Sequence, residues 1–396
     1  MKDKNFALLV LAFLVIGFNA AIPMVFGAFS IRTMEPGNTL YLALLFVIPS
    51  LAAFVGQNYW GSLCDISGQY KPYLVISFLA SALAFLLLTF AQSGLQFIVL
   101  LGVATFFSVA LLPIGQAYAT VAHESEKGRV LGHLFAFESV GWGLACLMGA
   151  SSWANEPGLT FVNRLFFLAL GLSLAMAVAL IVWFDAPPRR KRKSVPGRSG
   201  FRAVAAELLT LYKDRRILSM AAVLFCLTIG TLIFFSMYTS YLCFHLAGSK
   251  SLLGLSLAGA TLVGAVSFPL YGRLSDRCGR TQLILLATGG YILLYFSFIF
   301  IKNPLILALL YAIPLYPAIR VATNAFLADL TDQAVRGGGL GLIEGVQAIS
   351  SAIAPLLAAA VVERGGLGVL PVAAFVVMLA SGGMVVGVLK LQRVTA

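Results

Sequence analysis

The chain has 396 residues, of which 60% are hydrophobic and 11% charged, and its mean hydropathy is +0.96. An average soluble domain carries about 25% charged residues, so too little polar surface is available to clothe a water-soluble globule, and an integral membrane protein is indicated. The net charge of +12 could suggest nucleic acid, but ten of the 27 Lys and Arg residues sit between Arg189 and Arg216; a juxtamembrane loop beside anionic membrane lipids accounts for them, and no nucleic acid is expected as a partner.

The first apolar run begins at Phe6 and continues to about Ile31. Signal-peptide cores are only about 7 to 15 residues long, so this run is read as an uncleaved first span. A helix needs about 20 apolar residues to cross hydrocarbon, and twelve such segments can be placed. Six run over 6–31, 39–62, 72–92, 95–121, 130–153 and 163–184; six more run over 217–246, 252–274, 281–301, 304–328, 340–362 and 368–389. The predicted fold is an all-α integral membrane protein of twelve transmembrane helices. It divides into an N-terminal six-helix bundle at 1–184, a basic linker at 185–216 and a C-terminal six-helix bundle at 217–396. Within the linker, Phe201 to Tyr212 has apolar residues at helical spacing, which predicts a short amphipathic helix on the inner leaflet. With both termini inside, 21 Lys and Arg residues fall on inner segments and five on outer loops. That bias predicts a multi-pass protein of the cell (inner) membrane with cytoplasmic termini.

One pattern occurs twice. Trp60-Gly61-Ser62-Leu63-Cys64-Asp65-Ile66-Ser67-Gly68 returns as Tyr271-Gly272-Arg273-Leu274-Ser275-Asp276-Arg277-Cys278-Gly279, an offset of 211 between Asp65 and Asp276. Gln116-Ala117-Tyr118 matches Asn324-Ala325-Phe326 at 208, and Gly132 matches Gly341 at 209. Steady offsets of this kind imply two parallel six-helix repeats related by an axis along the membrane normal. With twelve spans, a basic central loop and the doubled Gly-x-Leu-x-Asp-x-x-Gly signature, the chain resembles a transporter of the major facilitator superfamily. The resemblance implies two pseudo-symmetric bundles that alternate access to a central cavity lined by spans 1, 4, 7 and 10. It also implies that Asp65 docks on the start of span 11 and Asp276 on the start of span 5, closing the cytoplasmic side.

Physical chemistry points to the same docking places. Exposed N–H groups at a helix start favour a carboxylate, and span 11 follows Gly337-Gly338-Gly339 while span 5 follows Gly128-Arg129. The latch loops therefore comprise Gly61, Asp65 and Gly68 in one copy, and Gly272, Asp276, Arg277, Gly279 and Arg280 in the other. Ile66 and Gln69 stand where the family usually has basic residues, so the first latch is expected to be the weaker.

A charge at the centre of a span costs about 2.5–3.5 kcal/mol on insertion scales and is a functional hypothesis by default. His133 and Glu138 lie in span 5, Arg320 in span 10 and Glu344 in span 11, while spans 3, 6, 9 and 12 carry no interior charge. Glu138 falls about 12 Å into its span, where desolvation disfavours the charged form. It is the leading candidate for a group that binds and releases a proton, with Glu344 as the second. Arg320 and Glu344 both fall near the inner mouth, where an ion pair between them could gate the cavity, or Arg320 could hold an anionic substrate. Asn19, Gln116, Tyr316, Tyr238 and Gln347 are the further polar candidates for substrate contact, and a Phe cluster at 234, 235 and 244 suggests a greasy cavity.

No paired nucleophile and base, Walker loop, dinucleotide fingerprint or metal-ligand spacing is found, and the five cysteines suggest no disulfide framework. The expectation is a non-enzymatic secondary transporter without a cofactor or metal, exporting a small amphiphilic molecule against protons and resembling the drug/proton antiporter type, for which a monomer suffices. Span 4 lacks the intramembrane Arg and span 5 the Gly-Pro pair of many such antiporters. The alternatives are a carrier for an organic anion bound by Arg320, and a non-transporting membrane receptor or lipid-handling scaffold.

Overall fold

The computed structural model describes residues 4–35, 39–148, 158–185, 215–248, 250–331 and 336–394. The predicted linker helix at 201–212 lies outside these residues, as does the side chain of Phe244. Among the described residues the chain is helical, without strands, and eleven helices are long and apolar enough to cross a membrane. The 29-residue helix Thr39–Ser67 is long enough to be the twelfth.

The spans are α1 (Lys4–Ala21, continued by Ile22–Phe26 and Gly27–Met34), α2 (Thr39–Ser67), α3 (Lys71–Leu88), α4 (Gly94–Ser108 and Leu111–Ala122), α5 (Lys127–Met148) and α6 (Gly158–Trp183). In the second repeat they are α7 (Arg215–Phe235, continued by Tyr238–Ser240 and Tyr241–His245), α8 (Lys250–Cys278), α9 (Arg280–Phe300), α10 (Pro304–Tyr311 and Leu315–Leu330), α11 (Arg336–Gly365) and α12 (Leu370–Val394).

Packing repeats as the sequence does. In the first repeat α3 lies against α6 and α4, α2 against α4, and α1 against α6; in the second α9 lies against α12 and α10, α8 against α10, and α7 against α12. The same two spans of each repeat are interrupted. In α4 and α10 the second piece carries Pro113 and Pro317, which cannot donate the N–H that a continuous helix requires four residues back. In α1 and α7 a π-helical turn is inserted, at Ile22–Phe26 and Tyr241–His245. Large side chains on α3 and α9 remain exposed, among them Leu83, Leu87, Leu286 and Leu293, as expected of surfaces that face lipid.

The chain divides into two compact units. Unit 1 comprises 1–124, 137–211 and 331–345; unit 2 comprises 125–136, 212–330 and 346–396. Each unit thus includes one short segment from the other repeat, the first turns of α11 in unit 1 and those of α5 in unit 2.

Candidate functional site

The paired loops are built by the same local rule. α2 ends where the Gly68 N–H donates to the Cys64 carbonyl at 2.9 Å, and α8 ends where the Gly279 N–H donates to the Ser275 carbonyl at 3.1 Å. Gly68 and Gly279 have φ of 68° and 93°. Positive φ of this kind favours glycine, which has no Cβ to clash with the backbone.

In unit 1, Asp65 is 1% exposed and its Oδ2 accepts the Gly338 N–H at 2.6 Å, at the start of α11. Close approach makes this possible, since a Cβ on Gly61 would fall on the Gly337 carbonyl. The contact continues up α11 at four-residue intervals: Gly341 lies against the Gln57 carbonyl and Gly345 against the Asn58 amide. Trp60 anchors the same stretch of α2, its indole N–H donating to the Phe106 carbonyl of α4 at 2.8 Å.

In unit 2, Asp276 accepts from the Gly128 N–H at 3.0 Å and the Arg129 N–H at 2.8 Å, at the start of α5. Arg280 adds a salt bridge to the same carboxylate and bonds the Asp329 carboxylate at 3.0 Å. Lys127 reaches Asp329 at 2.8 Å, which extends the network into a chain of four charged side chains. Gly272 and Gly128 meet backbone to backbone, and Gly132 packs on Phe268. Arg277 and Arg273 are exposed. Unit 1 holds a counterpart in buried Arg336, 3.2 Å from Glu124 and 3.4 Å from the Thr120 carbonyl.

The polar groups within the spans fall into separate places. Gln116 Nε2 donates to Glu344 Oε1 at 2.7 Å, with both residues buried in unit 1. Glu138 is half-buried on α5, where its backbone carbonyl lies against Gly17 of α1. Asn19 bridges α1 to α6 by donating to the Ser173 hydroxyl at 2.9 Å. In unit 2, Tyr316, Arg320 and Gln347 come together around a crevice completed by Leu224, Leu227, Thr228, Thr231 and Ile319. The Arg320 guanidinium also lies 4.2 Å from the centre of the Phe135 ring, within cation–π range. Tyr238 lies in the core, stacked on Tyr311 at 3.9 Å with its hydroxyl 2.7 Å from Ser256 Oγ. Phe234 belongs to the same aromatic cluster, whereas Phe235 is 53% exposed.

Sequence reasoning did not find Lys127, Asp329, Glu124 or Arg336, nor Gln116 as the partner of Glu344. Lys127 and Arg336 are themselves 209 residues apart, so the repeat offset contained the signal. The Gly337-x-x-x-Gly341-x-x-x-Gly345 spacing likewise marks a helix-packing stripe.

Twelve spans in two matching repeats, joined through aspartates on helix starts, define a polytopic helical membrane protein. The model of the Major Facilitator Superfamily matches residues 5–355 and 248–395. The chain belongs to that superfamily and is a multi-pass membrane protein. It is 24% identical over 277 residues to the multidrug resistance protein MdtG of Enterobacter lignolyticus, covering 68% of this chain and 63% of the relative. To the multi-drug resistance efflux pump PmrA homolog of Lactococcus lactis it is 25% identical over 288 residues, covering 69% and 66%. The match thus spans just under two thirds of these relatives' length. Two solved structures share the fold. The human organic anion transporter MFSD10 (TETRAN) superposes with a TM-score of 0.79 at 15% identity, covering 96% of this chain and 99% of that one. FucP in the outward conformation superposes with a TM-score of 0.75 at 16% identity, covering 96% and 98%.

Proposed function

We propose that this transporter exports small amphiphilic molecules in exchange for protons. The lining of the crevice in unit 2, which leaves only about 10 Å³ free in this structure, carries the proposal: Leu224, Leu227 and Ile319 offer an apolar wall, and Thr228, Thr231, Tyr316, Arg320 and Gln347 offer a few polar anchors. Such a lining suits a molecule with both characters better than a uniformly polar sugar. The relatives named for multidrug resistance and efflux support the direction. In this reading Glu138 takes up and releases the proton, Glu344 is the second candidate, and Asp65 and Asp276 hold the cytoplasmic side closed while the outer side is open.

Flux in proteoliposomes tests the proposal. An imposed pH gradient should drive movement of a fluorescent lipophilic cation or neutral dye, and Glu138→Gln should abolish the gradient-driven component. Gradient-independent transport, or unchanged driven flux in that variant, would refute proton coupling through Glu138.

A second reading is favoured by the guanidinium at the crevice: a carrier for an organic anion held by Arg320. Loss of one charge-assisted contact is worth about 1.5–3 kcal/mol, so Arg320→Ala should weaken binding of an aromatic carboxylate roughly 10- to 100-fold. Unaltered binding removes this reading, and saturable binding with no flux of any probe favours a receptor over both.

A further inference from the structure

Unit 1 carries a groove away from the residues already described, lined by Lys4, Ala7, Leu8 and Leu11 of α1 and by Trp183 at the end of α6. The four α1 residues follow the i, i+3, i+4, i+7 spacing that aligns side chains along one helix face. Leu11 is 50% and Trp183 51% exposed, while Leu8 is buried. The two walls are fastened to each other. Asn5 Nδ2 donates to the Asp185 carbonyl at 2.8 Å and the Asp185 N–H donates to Asn5 Oδ1 at 3.1 Å, so the first turn of α1 is tied to the chain just beyond α6. Asn5 also donates to the Tyr118 hydroxyl at 2.7 Å.

The chemistry changes along the groove. Lys4 places an ammonium at one end, and Leu11 lies seven residues on, about 10 Å deeper at the helical rise. That is the depth over which a bilayer passes from headgroup to acyl chain, and Trp183 stands at the polar end, where indoles concentrate. Asp185 is exposed beside this end but does not line the groove, where Lys4 is the charged residue among those described. We propose that the groove binds one anionic phospholipid of the leaflet at the paired-loop end, its phosphate on Lys4 Nζ and one acyl chain along Ala7, Leu8 and Leu11 against Trp183.

Quenching by brominated lipids tests this with the full-length protein in vesicles. The Trp183 signal is taken as the difference between wild type and Trp183→Phe, in phosphatidylcholine vesicles containing graded fractions of brominated phosphatidylglycerol or brominated phosphatidylcholine. One basic residue near the surface corresponds to about a fivefold preference. Brominated phosphatidylglycerol should therefore quench Trp183 at about fivefold lower mole fraction. Lys4→Gln should bring the two lipids together, and Lys4→Arg should keep them apart. Equal quenching in the wild type overturns the proposal, as does a preference that survives Lys4→Gln, which would assign it to the linker. Competition by soluble glycerol phosphate would also overturn it, because the ligand would then be the free phosphate.

Discussion

Asp65 and Asp276 stand at equivalent places in two copies of one loop, yet their surroundings differ. Asp65 is almost wholly buried against the Gly338 N–H. Asp276 is somewhat more open but accepts two backbone N–H groups and the Arg280 guanidinium, which is itself held by Asp329. A hydrogen bond to a charged group contributes about 1.5–3 kcal/mol, and an asparagine in place of either aspartate points an N–H at other donors. Asp276→Asn is therefore expected to open the paired-loop side more than Asp65→Asn, read as faster maleimide labelling of a cysteine introduced beneath the loop; equal or reversed rates count against the ranking. The glycines beside them give a steric prediction. Alanine at Gly61 or Gly272 places a methyl group on a facing backbone carbonyl. Overpacking of this kind costs about 1–3 kcal/mol, so each variant should show a lower Tm in detergent, whereas Gly259→Ala, where nothing lies near the added atom, should not.

At the scale of the helix, the starts of α5 and α11 each carry a basic residue that crosses to an acid near the end of α10 or α4, as Lys127 with Asp329 and Arg336 with Glu124. Partly exposed pairs contribute modestly, up to about 1 kcal/mol. Lys127→Asp should destabilise the protein and the swapped double variant Lys127→Asp with Asp329→Lys should recover part of the loss; a double-mutant cycle with no coupling would show the pair to be incidental. These pairs also show where sequence reading stops. The docking places of Asp65 and Asp276 could be anticipated because glycines and exposed N–H groups at a helix start are local signals. The Gln116–Glu344 bond joins residues 228 apart, and no periodicity specifies which face of α4 meets which turn of α11. The breaks in α4 and α10 were written in Pro113 and Pro317, but the π-helical turn of α7 has no proline or other sequence mark of its own.

For the molecule as a whole, the twelve spans and their duplication were legible because apolar length and repeat offset survive without knowledge of contacts. The crevice was legible only as a set of polar residues on separate spans. Tyr316, Arg320 and Gln347 meet there, whereas Tyr238 belongs to an aromatic core and Asn19 to a helix-to-helix bond. The whole-molecule prediction is consequently about coupling: collapse of the pH gradient with an ionophore should stop uphill export while leaving downhill exchange of labelled substrate intact, and export that persists without the gradient would exclude protons as the driving ion.

The composition of unit 1 bears on how the protein is made. Residues 331–345 belong with residues 1–124 and 137–211, and Gly338 is separated from Asp65 by 273 positions, so Asp65 must wait, inserted in the membrane, until Gly338 has left the ribosome. Completion of the first unit is thus a late event with a large sequence separation, of the kind that slows folding and prolongs the exposure of unfinished intermediates. A chain arrested before residue 331 should remain far more sensitive to quality-control proteolysis than one arrested just beyond residue 345.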